Sequence, residues 1–377
     1  MTGRNGGTPE SVERAAAAAA AASSSVDGQA RFPAEATAAL RAGGLLNAAV
    51  PTRLGGLGLP LPELVRIAGR LAAACGSAAM VWSMHQVQMA CLARHHPDAP
   101  LLARAIAEQW LVASVTSENG VGGDLRSSRT GIGTGEGRCT LDKQGPTVSY
   151  GAHADAFLVT ARRSADAAPG DQVAVFVSRE QSDLRQTGEW NTLGMRGTCS
   201  PSFDLRAEFD PAQVLPVPFG DVAARTMVPL SHLLWSGVWV GLAAEAVDRA
   251  VRATRRRSRG GPLADRPELA VAHARLAGIR AQLDAATRSA EPVLEHGGQP
   301  TMGLAVELNA LKVGVSETAL DVARLALAVC GMAGFSEDGP HSVARILRDL
   351  FSAPLMIGNG RLLAANSQMM LLSGGAR

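Results

Sequence analysis

The stretch Val115–Thr130, VTSENGVGGDLRSSRT, gathers Glu118, three glycines (Gly120, Gly122, Gly123) and five hydroxyl side chains into one short segment. Glycine lets another group approach the backbone without meeting a Cβ, and exposed N–H groups beside Ser or Thr can cradle an anion such as a phosphate. The same composition also suits an ordinary loop between regular elements. Histidine is the side chain that exchanges protons near neutrality, and His85 in VWSMHQ, His232 in PLSHLL and His341 in DGPHSV all lie beside apolar runs. A histidine in that setting is commonly a hydrogen-bonded core residue. His95, His96, His153, His273 and His296 carry no argument beyond their chemistry. Cys75, Cys91, Cys139, Cys199 and Cys330 are widely spaced, with no CxxC and no Cys/His cluster, which argues against zinc and for a reducing, cytoplasmic compartment. GVGGD is not GxGxxG, and no strand–helix–strand unit surrounds it, so a dinucleotide fold is excluded. GIGTGEG (131–137) reads as a turn leading into a strand.

Three segments must position these residues. Residues 1–111 read as helical: SVERAAAAAAAA has high helix propensity. The run LVRIAGRLAAACGSAAMVWSMHQVQMACLARH is apolar on more than one face, the mark of a helix buried among others. Between them VPTRLGGLGLPLPEL is a Gly/Pro-rich turn. In 112–215 the period becomes two: Val173, Val175 and Val177 share one face of a half-buried strand, and TVSYGAHADAFLVTAR and SPSFDLRAEF read alike. In 216–377 the stripes Leu276, Ile279, Leu283 and Leu308, Leu311, Val315, Val322, Leu325, Val329 predict an antiparallel helical bundle. The net charge of +2, from 36 basic and 34 acidic residues, gives no reason to bind nucleic acid or an anionic membrane. The basic run Arg255–Arg259 suits a solvated helix end. No window reads as a membrane span, and ERAAAAAAAASSS lacks the apolar core of a signal peptide.

That order of helices, strands and bundle, with four local motifs, resembles the acyl-CoA dehydrogenase family of flavoproteins. The motifs are VPTRLGGLGLPLPEL before a long helix, VTSENGVGGD, WNTLGMRGTCS and CGMAGFSEDGPHSVARILRD. The resemblance implies an α+β, mainly α fold: an N-terminal helical domain (1–111), a middle β-barrel or sheet domain that contacts flavin (112–215) and a C-terminal four-helix bundle (216–377). It further implies an FAD cofactor contacted by Val115, Thr116, Gly122 and Gly123, with Gly123 standing where the family usually has a pyrophosphate-binding Ser. Ser149 takes the place of the hydroxyl residue at the flavin N5 edge. Arg257 takes that of the arginine reaching a neighbouring subunit's pyrophosphate, with Gly260-Gly261 following in place of Phe-Gly. Gly331 belongs to the C-terminal glycine segment. Shared cofactor sites imply a homodimer or homotetramer.

The family's catalytic carboxylate is absent from both of its usual positions. Counting from Arg348-Asp349, LFSAPLMIGNG puts Ile357 opposite the usual glutamate and Asn359 opposite the following threonine. The alternative position, on the first bundle helix, falls near Ser231. Family relatives without this glutamate include monooxygenases that activate O2 as a flavin C4a-(hydro)peroxide. The expected function is therefore oxygenation of an acyl or aryl substrate, including CoA or carrier-protein thioesters, with His85, Ser149, His341 and Asn359 as active-site residues and a flavin reductase as electron source. Dehydrogenation of an acyl thioester with another base, alone or coupled to oxygenation, and an inactive flavin- or CoA-binding scaffold are the alternatives.

Overall fold

The computed structural model describes residues 7–120, 127–258 and 265–372. Five helices precede the first strand: α1 (Gly7–Gly28), α2 (Ala34–Ala42), α3 (Leu61–Ala74), α4 (Gly76–His95) and α5 (Leu102–Ala107). The Ala-rich run forms α1, burying Val12, Ala15, Ala16, Ala19, Ala22 and Val26 at spacings of mostly three and four. The long apolar run is two helices and not one. It breaks at Cys75, which is extended (φ −155°, ψ 114°). Gly76 then starts α4 directly against Asp349, where a Cβ would lie 2.7 Å from Oδ2. Almost all of α4 is buried, as expected for a helix without a polar face.

The middle segment forms two sheets. β1 (Val112–Val115) pairs parallel with β4 (Ala156–Arg162), which pairs antiparallel with β5 (Gln172–Ser178). β2 (Gly133–Gly135), β3 (Arg138–Gly145), β7 (Phe203–Phe209) and β6 (Ser182–Gln186) form an antiparallel sheet in the order β2-β3-β7-β6. Glu136 and Gly137, both at positive φ, close the β2–β3 hairpin. β5 is buried on both faces, a correction to the half-buried reading, because Ala174 and Phe176 between the valines are apolar too. β3 keeps strict alternation, which turns Lys143 inward.

Beyond β7, α6 (Phe219–Val222) passes through a π-helical turn, Ala223–Met227, into α7 (Val228–Arg257). Then come α8 (Pro267–Leu294), α9 (Met302–Cys330), α10 (Met332–Phe335), α11 (Ala344–Phe351) and α12 (Asn359–Leu372). α9 packs against α7, α8 and α12, with Leu308, Leu311, Val315, Val322 and Val329 buried and Leu325 partly so. Arg255 and Arg256 are exposed at the end of α7. The continuous helical stretch Phe219–Arg257 is, against expectation, long and apolar enough to cross a membrane, but 83% of its most apolar window is buried within the protein. Its apolarity is that of a bundle core.

Candidate active site

A cavity of about 810 Å³ lies where α4, β1, the segment after β3, α7 and α12 meet. One side is a row of hydroxyls. Ser114 and Thr116, and Thr147 and Ser149, each two residues apart, all line it. Val115, one step out of phase, is buried in the core. The segment carrying Ser149 is stapled to the GMRGTCS turn. Val148 N–H donates to Pro201 O (3.1 Å), and Tyr150 N–H donates to Thr198 O (2.8 Å). The buried Tyr150 hydroxyl donates to Val112 O (3.1 Å), tying the segment to β1. Tyr150 sits at φ 44°, Met195 at 52° and Cys199 at 43°, so both turns are held in left-handed conformations by their mutual bonds.

Glu118 anchors the other end of the hydroxyl row. Its carboxylate accepts from Ser128 Oγ (2.6 Å), Arg129 N (3.0 Å), and Thr130 N (2.7 Å) and Oγ1 (2.8 Å). Lys143 Nζ lies 3.7 Å away, fully buried. Burial pushes the Glu118 carboxyl upward, but these bonds and the Lys143 charge hold it below the usual range. Burial brings Lys143 down to about 8, against the pull of Glu118.

The facing walls come from three helices. Met84, Val87 and Gln88 on α4 stand at steps of three and four. Val228, Ser231 and Trp235 do the same on α7. Ile357 comes from the turn before α12, and Arg361 and Gln368 from α12 itself. Both positions at which the resemblance predicts a carboxylate base, Ile357 and Ser231, therefore face one cavity. None of the described lining residues is Asp, Glu or His. Ile357 adopts φ 51°, a costly conformation for a β-branched side chain. The turn that holds it is pinned from beneath: buried Lys312 Nζ donates to Ala353 O (3.0 Å) and Asn359 Oδ1 (2.7 Å). Burial lowers Lys312 to about 8, with Glu317 opposing.

Of the expected catalytic residues, only Ser149 lines the cavity. His85 is fully buried one position off the lining face of α4. Its Nε2 lies 2.7 Å from Leu46 O, and its Nδ1 accepts from Val112 N–H (3.0 Å). Val112 N–H needs an acceptor, so Nδ1 is unprotonated and Nε2–H is the donor, leaving no free nitrogen for substrate. Burial drops this histidine to about 4, against the bond to Leu46 O. It fastens β1 to the Leu45–Asn47 turn in place of the expected proton transfer. His232 is likewise buried, bonded to Asn309 Oδ1 (3.1 Å), and lowered to about 4 first by burial. His341 stands in the loop before α11, outside the cavity lining, with both ring nitrogens buried and unpartnered. Asn359 is buried beneath the Ile357 turn, accepting from Lys312 and donating to Ser316 Oγ (3.1 Å) and Glu317 Oε1 (3.0 Å), so it holds the wall instead of facing the cavity.

Arg257 and Gly331 do come together, away from the cavity lining. Arg257 donates to Cys330 O (3.0 Å) and Val329 O, capping α9 where Gly331 turns at φ 60°. Gly122, Gly123, Gly260 and Gly261 lie outside the described residues. Most residues the sequence reading missed share faces with ones it named. Ser114 and Thr147 are two positions from Thr116 and Ser149, and Trp235 is one turn beyond Ser231, whereas Met84 and Gln88 share only the helix with His85 and lie on its other face.

The hydroxyl row and apolar walls fit the ring of a flavin. Ser114, Thr116, Thr147 and Ser149 supply donors and acceptors along one edge, and about 810 Å³ accommodates a ring with a small substrate beside it. Two family models match the chain: the acyl-CoA dehydrogenase N-terminal domain over residues 9–99 and the acyl-CoA dehydrogenase C-terminal domain over residues 222–368. Amino sugar nitrososynthase RubN8 from Streptomyces rubradiris is 28% identical, covering 88% of this chain and 81% of that protein. Dibenzothiophene monooxygenase from Rhodococcus qingshengii is 26% identical over 58% of this chain and 55% of its own. Among solved structures, TdsC from Paenibacillus sp. A11-2 with FMN and indole superposes with a TM-score of 0.84 at 20% identity, covering 95% of both chains.

Proposed function

Because this chain belongs to the acyl-CoA dehydrogenase family, we propose that it is a flavin-dependent monooxygenase whose substrate occupies the cavity between α4, α7 and α12. The observation that carries this reading is the pair Ile357 and Ser231, an apolar side chain and a hydroxyl on the wall where the family's dehydrogenases need a carboxylate. Removal of a proton α to a thioester has no described base in this cavity. Oxygen transfer needs a dry, shaped site, and Met84, Val87, Val228, Trp235 and Ile357 supply its apolar surface. A bound reduced flavin supplies two electrons and the ring at which O2 is activated; one oxygen atom enters the substrate and the other leaves as water. Ser149 would hold the flavin ring by a hydrogen bond at its N5 edge, with Thr116 and Ser114 beside it on the same wall. Gln88, Arg361 and Gln368 orient the polar end of an aryl or acyl substrate whose body lies on the apolar wall.

FMN is the preferred flavin. Arg257, the residue expected at an FAD pyrophosphate, spends two donors on the carbonyls that end α9, and the TdsC structure was solved with FMN. A flavin reductase supplies the electrons. A homodimer or homotetramer built on the C-terminal bundle accounts for the exposed Met332, Phe335, Leu363, Leu371 and Leu372. The five free cysteines suit a cytoplasmic setting. Domain boundaries after residues 111 and 215 are part of this reading, and the change from helix to strand after α5 and back to helix at α6 supports them.

The test supplies the protein with FMN, a flavin reductase, NADH and a panel of aromatic heterocycles, aryl amines and acyl-CoA thioesters under isotopically labelled dioxygen. One labelled oxygen atom in a product supports the reading. Anaerobic reduction of the bound flavin by a saturated acyl-CoA, with no label incorporated, sinks it in favour of a dehydrogenase.

A further inference from the structure

The GMRGTCS turn, beyond stapling the Ser149 segment, places a file of hydroxyls behind it. Ser200 Oγ lies 3.0 Å from Ser149 Oγ, Thr198 Oγ1 lies 2.9 Å from Ser200 Oγ, and Thr198 Oγ1 donates to Met195 O at 2.8 Å. Ser200 and Thr198 are buried, while Ser149 is half-buried and faces the cavity. Each hydroxyl carries one hydrogen and two acceptor sites, so the file can run in either direction. Running toward the cavity, Ser200 donates to Ser149, and Ser149 donates outward. Running away from it, Ser149 donates to Ser200, and Ser200 donates to Thr198 Oγ1 or to Thr198 O at 3.3 Å. Thr198 then donates to Met195 O, which can only accept.

The N5 atom of a flavin changes sign in the same sense. Oxidised, it only accepts a hydrogen bond; reduced, it carries a proton and donates. We propose that Ser149, Ser200 and Thr198 form a reversible hydroxyl relay, in which Ser200 is the positioning residue that accepts the Ser149 O–H when the bound flavin is reduced. No covalent bond breaks; the hydroxyls only rotate. The relay rests on the flavin reading above.

Its consequence is asymmetric. An isolated Ser149 still donates to oxidised N5 but cannot accept from N5–H without leaving its own hydrogen unpaired beside a buried wall. Apo-protein is titrated with oxidised FMN and, anaerobically, with photoreduced FMN, in the wild type and in Ser200→Ala. The relay predicts that Ser200→Ala weakens reduced FMN about three- to tenfold while oxidised FMN binds within about twofold of wild type. Ser200→Thr restores both affinities. Thr198→Val has a smaller effect, because Thr198 O remains as an acceptor for Ser200. Should Ser200→Ala not fold, Ser200→Cys keeps the volume with a weak donor and acceptor, and shifts the preference in the same direction. Equal weakening of both redox forms, or no change in either, overturns the relay. Failure of the wild type itself to bind FMN in either form would remove the flavin reading and the relay with it, whereas loss of the asymmetry alone overturns only the relay.

Discussion

Taking the protein from pH 7 to pH 5 is expected to load the folded state with the cost of two histidines that cannot charge, and His85→Gln should remove half of it. His85 and His232 are both fully buried and held near 4, against an ordinary value of 6.5. A base whose folded value is lowered stays neutral in the fold while the unfolded chain takes up a proton. Stability therefore rises with pH between 4 and 6.5 and falls as acid is added through that window. With those two values, each histidine costs about 2 kcal/mol between pH 7 and pH 5. The pair costs about 4 kcal/mol, a large share of the stability of an ordinary domain. Asp349 works the other way. Burial lifts it to about 6, opposed by the bond from Met195 N–H, so its protonation returns about 1.4 kcal/mol over the same range. Urea unfolding followed by circular dichroism at pH 7, 6 and 5 measures the total, to which the partly buried His95, also lowered to about 4 by burial, adds, and the difference between that series and the same one in His85→Gln isolates one histidine. The variant starts lower at pH 7, because the flexible glutamine must be ordered to offer its NH2 to Leu46 O and its oxygen to Val112 N–H, but it should lose about 2 kcal/mol less than wild type on acidification. Parallel pH profiles for wild type and variant would refute the assignment of His85 as a neutral structural residue and reopen its candidacy as a proton donor.

Three further perturbations probe the scaffold of the cavity. Lys312→Met leaves Ala353 O without the ammonium and Asn359 Oδ1 with Ser316 alone, and should cost about 2 kcal/mol in thermal or urea unfolding. Glu118→Gln strands the buried Lys143 charge and should cost about 3 kcal/mol at pH 7. Part of that loss returns above about pH 8, where Lys143 sheds its proton, so unfolding measured at pH 7 and pH 9 should converge toward wild type. Gly194→Ala sets a Cβ 2.0 Å from Arg348 O, backbone against backbone, and should yield little soluble protein at 37 °C, as expression and gel filtration would show.

The architecture was readable because each segment had one dominant period. The Ala run, the inward valines and the α9 stripe needed no tertiary information to place. The break at Cys75 was not readable: it falls where Gly76 lies against Asp349, far along the chain. Both faces of β5 are covered because its intervening residues are apolar as well, a pattern that alternation of valines alone does not reveal. For the site, position counting worked best where a motif fixed the register: Ser149, Thr116, Ile357 and Ser231 share one cavity. It failed for His85 and Asn359, which lie in the right elements but face the core. On α4 a step of one residue turns a side chain by about 100°, enough to separate Met84 in the cavity from His85 behind it. Burial of the partners, Leu46 O and Val112 N–H, decides that histidine's role, and no local sequence signal encodes them.

The claim that this cavity oxygenates its substrate is tested most directly by the fate of its reduced flavin. Protein loaded with FMN is photoreduced without oxygen and mixed with oxygenated buffer in a stopped-flow spectrophotometer, alone and with candidate substrates. The account predicts at least two resolved phases in the return to oxidised flavin, the second slowed or accelerated by substrate, and collapse to a single phase in Ser149→Ala. A single slow phase indifferent to substrate and to Ser149, together with rapid anaerobic bleaching of the oxidised protein by an acyl-CoA thioester, would contradict it.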